Sequence, residues 1–340
     1  GGQCVFKEVV DRTTLYRLPT DPVERQRWLD RQAYNLFLSI EMTESSFSIV
    51  SKYVSDTPLL YWIQDPRELE MYQPRLKTVS KLKDGDWAYI SEVESWIQDL
   101  IENRRVIFIS QAPSLSTIAR RMYKIPHNFP IADLPNPVEI DFSYTLDEPK
   151  IPNKIIFLAR LEAQKRAWIF CELAKHMPQY QFYVLGEIGR GRDEIGNTKT
   201  LEPYRNGDGS SKIKNLHFLG HVEGDFKNAH IKSAKLMINT SIWEGVPISW
   251  LEVLSYGTLI VSSFDRDDLV ARFGSYVGEV LGDGVDEASL SRYARAIEYW
   301  MTHDVERLAT AQKAIDYIRE RHSIETFTTR LRDRIIESIR

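Results

Sequence analysis

The sequence predicts an α/β protein with two Rossmann-like domains, whose parallel sheets face a central cleft. Three observations lead there. Short apolar runs alternate with helix-like stretches from residue 34 onward, the pattern of parallel strands joined by helical crossovers. The 340 residues are long for one core and comfortable for two. The alternation also restarts in full at Lys154, after a loop-like segment over 144–153 that holds Pro149 and Pro152. The expected divisions are 1–145 for a first domain, 146–322 for a second, and 323–340 for a C-terminal helix that could pack back toward the first.

In the proximal half, 34–40 and 59–63 read as strands, with a short helix over 45–54 between them. Ser91 with Glu94 three residues later is a capping box, opening a helix that runs to about Asn103. A strand over 106–110, a helix over 114–124 and the segment 131–136 follow. The opening is less regular: 9–19 gives no clear helix and strand, and the chain begins Gly1-Gly2-Gln3 without Met. The first domain therefore reads as shortened or incomplete. In the distal half, strands are expected at 154–158, 181–185, 216–219, 235–239, 259–261 and 276–281. Helices are expected at 163–177, 223–233, 268–273, 286–301 and 305–321. Residues 188–215 are rich in Gly, Asn, Asp and Ser and read as a long connection. Ile324, Phe327, Leu331 and Ile335 recur at spacings of three and four, so the last stretch is an amphipathic helix.

Composition narrows the function. Hydrophobic residues are 43%, charged residues 27% and the net charge is -4. A broad nucleic-acid surface needs clustered Lys and Arg, so none is expected. The segment 1–144 carries 17 Lys+Arg against 20 Asp+Glu, a net of -3, which gives no support to docking on anionic lipid. One local patch (Arg104, Arg105, Arg120, Arg121, Lys124) could still do so. Cys4 and Cys171 cannot make a disulfide framework or a zinc site alone, so a reducing, cytoplasmic setting fits. No apolar run approaches the roughly 18 residues of a membrane span. The seven His show no ligand spacing, and Asp84-Gly85-Asp86 reads as a polar turn rather than a metal motif. No metal or cofactor is expected.

The most informative stretch is Glu244-Gly245-Val246-Pro247-Ile248-Ser249-Trp250-Leu251-Glu252. It lies between apolar runs at 235–239 and 259–261, so it reads as a loop at the carboxyl end of a strand, followed by a helix with Pro247 in its first turn. Open α/β sheets bind ligands at that edge. Loop amides and the helix N-terminus suit an anion such as a diphosphate. The two carboxylates suit hydroxyls instead, as on a sugar and a ribose. Arg160 and Lys165 follow the strand at 154–158 and reach the same sheet edge, where two cations favour a phosphorylated ligand. The plain alternative for these cations is a solvated helix start, and for the Glu pair a wet helix face.

Together these landmarks resemble the donor-nucleotide domain of retaining GT-B glycosyltransferases of family 4. Phe157-Leu158-Ala159-Arg160 with Lys165 is similar to the family's Gly-Arg…Lys-Gly segment. Val184-Leu185-Gly186 is similar to its strand ending in Gly, and Phe218-Leu219-Gly220-His221-Val222 to its segment beside the base. Residues 239–262 are similar to its Glu-x7-Glu signature, and 134–139 to its inter-domain Pro-Asn stretch. The resemblance implies a metal-independent transfer of sugar from a nucleotide-diphosphate sugar to a sugar or glycoconjugate acceptor. It also implies roles. Arg160 and Lys165 would hold the diphosphate, and Glu244 the transferred sugar. Amides at Gly245, Val246 and Ile248, beside Pro247, would contact sugar and phosphate. Glu252 would bind the ribose, with Gly186, Gly220, His221 and Val222 along the nucleotide. The sequence departs from the family at Ala159, Arg166 and Pro137, each standing where Gly is usual. The family's catalytic-side His has no equivalent. Gln64-Asp65 stand in its place, and Asp65 could serve as an acceptor-side base or as a plain Asp–Pro turn. The competing readings are an inactive nucleotide-sugar-binding module and a nucleotide-sugar epimerase on the same fold.

Overall fold

The computed structural model describes residues 7–10, 13–16, 19, 21–32, 34–41, 57–67, 69–80, 92–103, 106–188 and 194–338. The expected helix over 45–54, the Ser91 cap, Asp84-Gly85-Asp86, Gly1-Gly2 and Cys4 lie outside those residues.

Two parallel sheets organise the chain. The first is four-stranded, in the order β3 (Phe37–Ile40), β4 (Leu59–Ile63), β5 (Val106–Ser110) and β6 (Ile131–Asp133). Every residue of β4 is buried, as expected for a strand covered on both faces. The helices described in this part are α1 (Pro22–Leu29), α2 (Leu69–Lys77), α3 (Glu92–Glu102) and α4 (Pro113–Met122). The irregular opening is a separate antiparallel hairpin, β1 (Lys7–Val10) on β2 (Thr13–Tyr16).

The second sheet has six parallel strands: β7 (Lys154–Leu158), β8 (Gln181–Leu185), β9 (Leu216–Phe218), β10 (Leu236–Asn239), β11 (Leu259–Ser262) and β12 (Gly274–Tyr276). Their spatial order is β12-β11-β10-β7-β8-β9. The chain therefore builds outward from β7 to β9, returns across the sheet, and builds outward again from β10. The reversal point, where the crossovers leave a crevice, falls between β7 and β10. Around the sheet lie α5 (Ala167–His176), α6 (Glu194–Leu201), α7 (Gly224–Ser233), α8 (Ile248–Ser255), α9 (Leu269–Arg272), α10 (Glu287–Thr302) and α11 (Asp304–Arg321).

Three expectations are corrected here. The single helix over 163–177 is instead a 3-10 turn, Ala163–Lys165, then α5, because Arg166 between them adopts a left-handed backbone with φ 46°. The strand expected over 276–281 ends at Tyr276. The connection over 188–215 holds a short helix, α6.

Polar clasps bridge the two halves. The Ser114 amide and hydroxyl, in the first turn of α4, donate to the Asp267 carboxylate at 2.9 and 2.7 Å, where helix N-termini favour negative charge. Arg75 pairs with Glu279 at 2.7 Å, and the Gly282 amide donates to the Thr78 hydroxyl. The last helix, α12 (Ile324–Ser338), lies on the first sheet. Phe327 stacks on Trp62 with ring centroids 5.3 Å apart, and Leu331 and Ile335 pack beside it against Leu60, Ile109 and Leu134. Among the described residues no helix is long and apolar enough to cross a membrane.

Candidate active site

The site begins where β7 and β10 end side by side, since β7 pairs directly with β10 in parallel register. The loops leaving them are stitched together. The Thr240 hydroxyl donates to the Lys165 carbonyl at 2.6 Å, and the Ile242 amide donates to the Gln164 carbonyl at 3.0 Å. That stitching carries Lys165 to Glu244, 79 residues away. The Lys165 ammonium reaches both carboxylate oxygens of Glu244, at 2.6 and 2.7 Å. Both side chains are largely buried, and the Asn239 amide lies 3.5 Å from one oxygen. Arg266 donates to the Glu244 carbonyl at 2.6 Å. Its guanidinium also lies over the Trp243 and Phe264 rings, and burial lowers its pKa.

The other expected residues are placed less centrally. Arg160 points outward and pairs with Glu162 at 2.9 Å. Glu252, on α8, is half-buried and pairs with Lys227 of α7 at 2.5 Å. The structure thus brings together one cation and one carboxylate of the expected four, and hands the other two to local partners. His221 is exposed and sits 3.6 Å from Glu223, while Val222 is buried. Gly186 and Gly220 pair across the ends of β8 and β9 in an isolated bridge. Pro247 caps α8 from outside the helix, one position before its expected place, and Val246 is buried while Ile248 is exposed.

Arg166, where the resemblance led to an expected Gly, has a structural task. All five of its donors are used: Thr240 C=O at 2.8 Å, Val280 C=O at 2.7 Å, Gly282 C=O at 3.0 Å, Ser241 C=O at 3.5 Å and the Ser263 hydroxyl at 3.3 Å. Among the described residues no carboxylate pairs with it, and burial lowers its pKa. It ties the floor of the site to β11 and to the segment after β12.

Across the cleft, the carboxyl edge of the first sheet meets this loop. Asp65 accepts from Trp243 Nε1 at 2.9 Å and from Arg67 at 2.6 and 2.8 Å. Gln64, Gln111 and Asn136 form a linked set. The Gln64 amide donates to Asn136 Oδ1 at 2.9 Å, Asn136 donates to Gln111 Oε1 at 2.5 Å, and Gln111 donates to the Gln64 carbonyl. Gly245 packs onto them, and a Cβ there would stand 2.5 Å from the Gln64 carbonyl oxygen.

Glu41 was not singled out from the sequence. It follows β3 directly, as Gln64 follows β4 and Gln111 follows β5. The position just past a parallel strand was therefore the available signal. Its carboxylate accepts from the Gln64 amide and, at 2.6 Å, from the Asp65 amide. Burial first, with the nearby Asp65 charge adding, outweighs these bonds and raises its pKa to about 7. The folded state then holds a proton that the unfolded chain has lost, across the window from pH 4.5 to 7. Stability should fall as pH rises through that window, by up to roughly 3 kcal/mol. Glu41→Gln removes this slope. Its melting temperature should exceed wild type above pH 7 and converge with it near pH 4.5, and a constant offset across that range would contradict the assignment.

Two parallel sheets facing each other, the second six-stranded with its reversal point between β7 and β10, make the GT-B fold. The chain belongs to the family Glycosyl transferases group 1, whose profile matches residues 141–320. Solved structures of the same fold include TarM, with 14% identity over 99% of this chain and a TM-score of 0.63. Sucrose-phosphate synthase from Thermosynechococcus elongatus shows 13% identity over 99% of this chain and 86% of its own, with a TM-score of 0.72. HepE from Anabaena, solved with UDP-glucose, shows 13% identity over 89% of this chain and 79% of its own, with a TM-score of 0.61. This chain spans 62% of the length of TarM. No curated protein is significantly similar in sequence.

Proposed function

We propose that the protein is a retaining, metal-independent glycosyltransferase of family 4 that uses a nucleotide-diphosphate sugar. The Lys165–Glu244 pair at the reversal point of the second sheet is the observation that supports this most. A donor diphosphate entering there would draw the Lys165 ammonium from Glu244, freeing that carboxylate to accept from sugar hydroxyls. Departure of the nucleotide puts negative charge on the leaving oxygen. Lys165, the backbone amides of Gly245, Val246 and Ile248 and a swung-in Arg160 would stabilise it, because preorganised donors in a closed site outperform water. Glu252 would exchange Lys227 for ribose hydroxyls. Asp65 would face the acceptor as base or hydrogen-bond acceptor. HepE, solved with UDP-glucose, makes UDP the first nucleotide to try.

The test is a thermal-shift screen over nucleoside diphosphates, followed by nucleotide release from the matching sugar donors. A ligand at 100 times its Kd should add about 2.7 kcal/mol of stability. Binding with no release across donors and acceptors would favour an inactive binding module, and a free epimerised donor would favour an epimerase. With the active donor in hand, Gly245→Ala should lower kcat on the order of 100-fold, because displacement of about 1 Å at a reacting site costs that much. The added methyl would stand 2.5 Å from the Gln64 carbonyl oxygen, a backbone atom that cannot swing away, and 2.9 Å from Gln111 Nε2. A kcat within threefold of wild type would show that the loop need not dock on Gln64.

A further inference from the structure

Glu41 is an unusual choice for its place. Its backbone lies in the left-handed region, φ 53°, which is strained for a residue with a side chain. Among the described residues, no cation pairs with its carboxylate. A partly buried acid without a cation is costly unless hydrogen bonds compensate it. Here the bonds go to the two successive amides of Gln64 and Asp65, while the second oxygen stands 3.4 Å from the hydroxyls of both Tyr61 and Tyr123. Those hydroxyls also contact each other at 3.1 Å.

The turn held in this way is the part of the first domain that touches the donor loop. Asp65 accepts from Trp243 Nε1, and the Gln64 carbonyl sits under Gly245. A continuous path therefore runs from Glu41 through two backbone amides to the residues flanking Glu244. We propose that Glu41 is a positioning residue for glycosyl transfer, fixing the Gln64–Asp65 turn and, through Asp65 and Trp243, the seat of the Glu244–Gly245 loop. The inference rests on the function proposed above, in which Asp65 faces the acceptor.

Two measurements test it. The first needs no substrate: amide hydrogen exchange on the full chain, read at 64–67 and at 241–247. Glu41→Ala should speed exchange at least tenfold in both segments. Glu41→Gln, whose carbonyl can still accept from both amides, should leave both near wild type. Unchanged exchange at 241–247 in Glu41→Ala would overturn the proposal. The second is transfer kinetics with the donor found by the nucleotide screen. Glu41→Ala should lower kcat 10- to 100-fold with donor KM within threefold, and Glu41→Gln should restore kcat. In an Asp65→Ala background the Glu41→Ala loss should vanish, because one residue acts through the other. Additive losses, or a loss carried by donor KM, would mean that Glu41 only supports the fold. If no nucleotide binds at all, the functional reading fails while the exchange result still stands on its own.

Discussion

Lys165→Met is expected to reduce turnover by about 100-fold or more, the usual cost of losing a charge-stabilising donor. The geometry makes the loss larger than that of a surface cation. Lys165 is held by two loop stitches, Thr240 to its carbonyl and Ile242 to Gln164, so its ammonium arrives at the sheet reversal point already ordered. The substitution also strands Glu244 in a largely buried position. Breaking one half of a buried pair costs about 3–5 kcal/mol, and replacing both halves costs far less. The double variant Lys165→Met/Glu244→Gln should therefore regain most of the stability lost by Lys165→Met while remaining inactive. Stability from denaturant midpoints, and turnover from nucleotide release, separate the two effects. Activity retained in either variant would remove Lys165 from the chemistry.

Arg166→Ala is expected to give the largest stability loss, about 3–5 kcal/mol, without touching a substrate-facing group. It leaves four carbonyls and one hydroxyl, drawn from three separate segments, without their donor. Each buried group left unpaired costs about 1–3 kcal/mol before relaxation and water entry reduce the sum. Arg166→Gly loses the same bonds but suits the left-handed backbone, so it should be milder than Ala by about 1 kcal/mol. That ordering, Gly above Ala, opposes the usual helix preference and can be read from melting temperatures alone. The reverse order would mean that the backbone conformation is not the constraint at this position.

Much of the architecture was legible in the chain itself. The largely apolar runs read at 59–63, 154–158, 235–239 and 259–261 become buried central strands, because a parallel strand covered on both faces must be mostly apolar on both. The strand–loop–helix order around Glu244 places that residue at a carboxyl sheet edge, and the same reasoning places Lys165 there. These inferences are local, since burial and strand ends leave their mark on neighbouring residues.

Choice of partner leaves no such mark. Arg160, Lys165, Glu244 and Glu252 all carry the right charge, yet only Lys165 and Glu244 meet, while Arg160 turns to Glu162 and Glu252 to Lys227. The order of strands decides this, by setting β10 beside β7 and stitching their loops. Tertiary structure alone also shows that Arg166 is a buried tie, that Trp243 reaches across to Asp65, and that Glu41 holds the facing turn. The physical reason is range. Apolar periodicity records whether a residue is buried, whereas hydrogen bonds between residues many positions apart depend on ångström-scale placement, which the packed sheets supply.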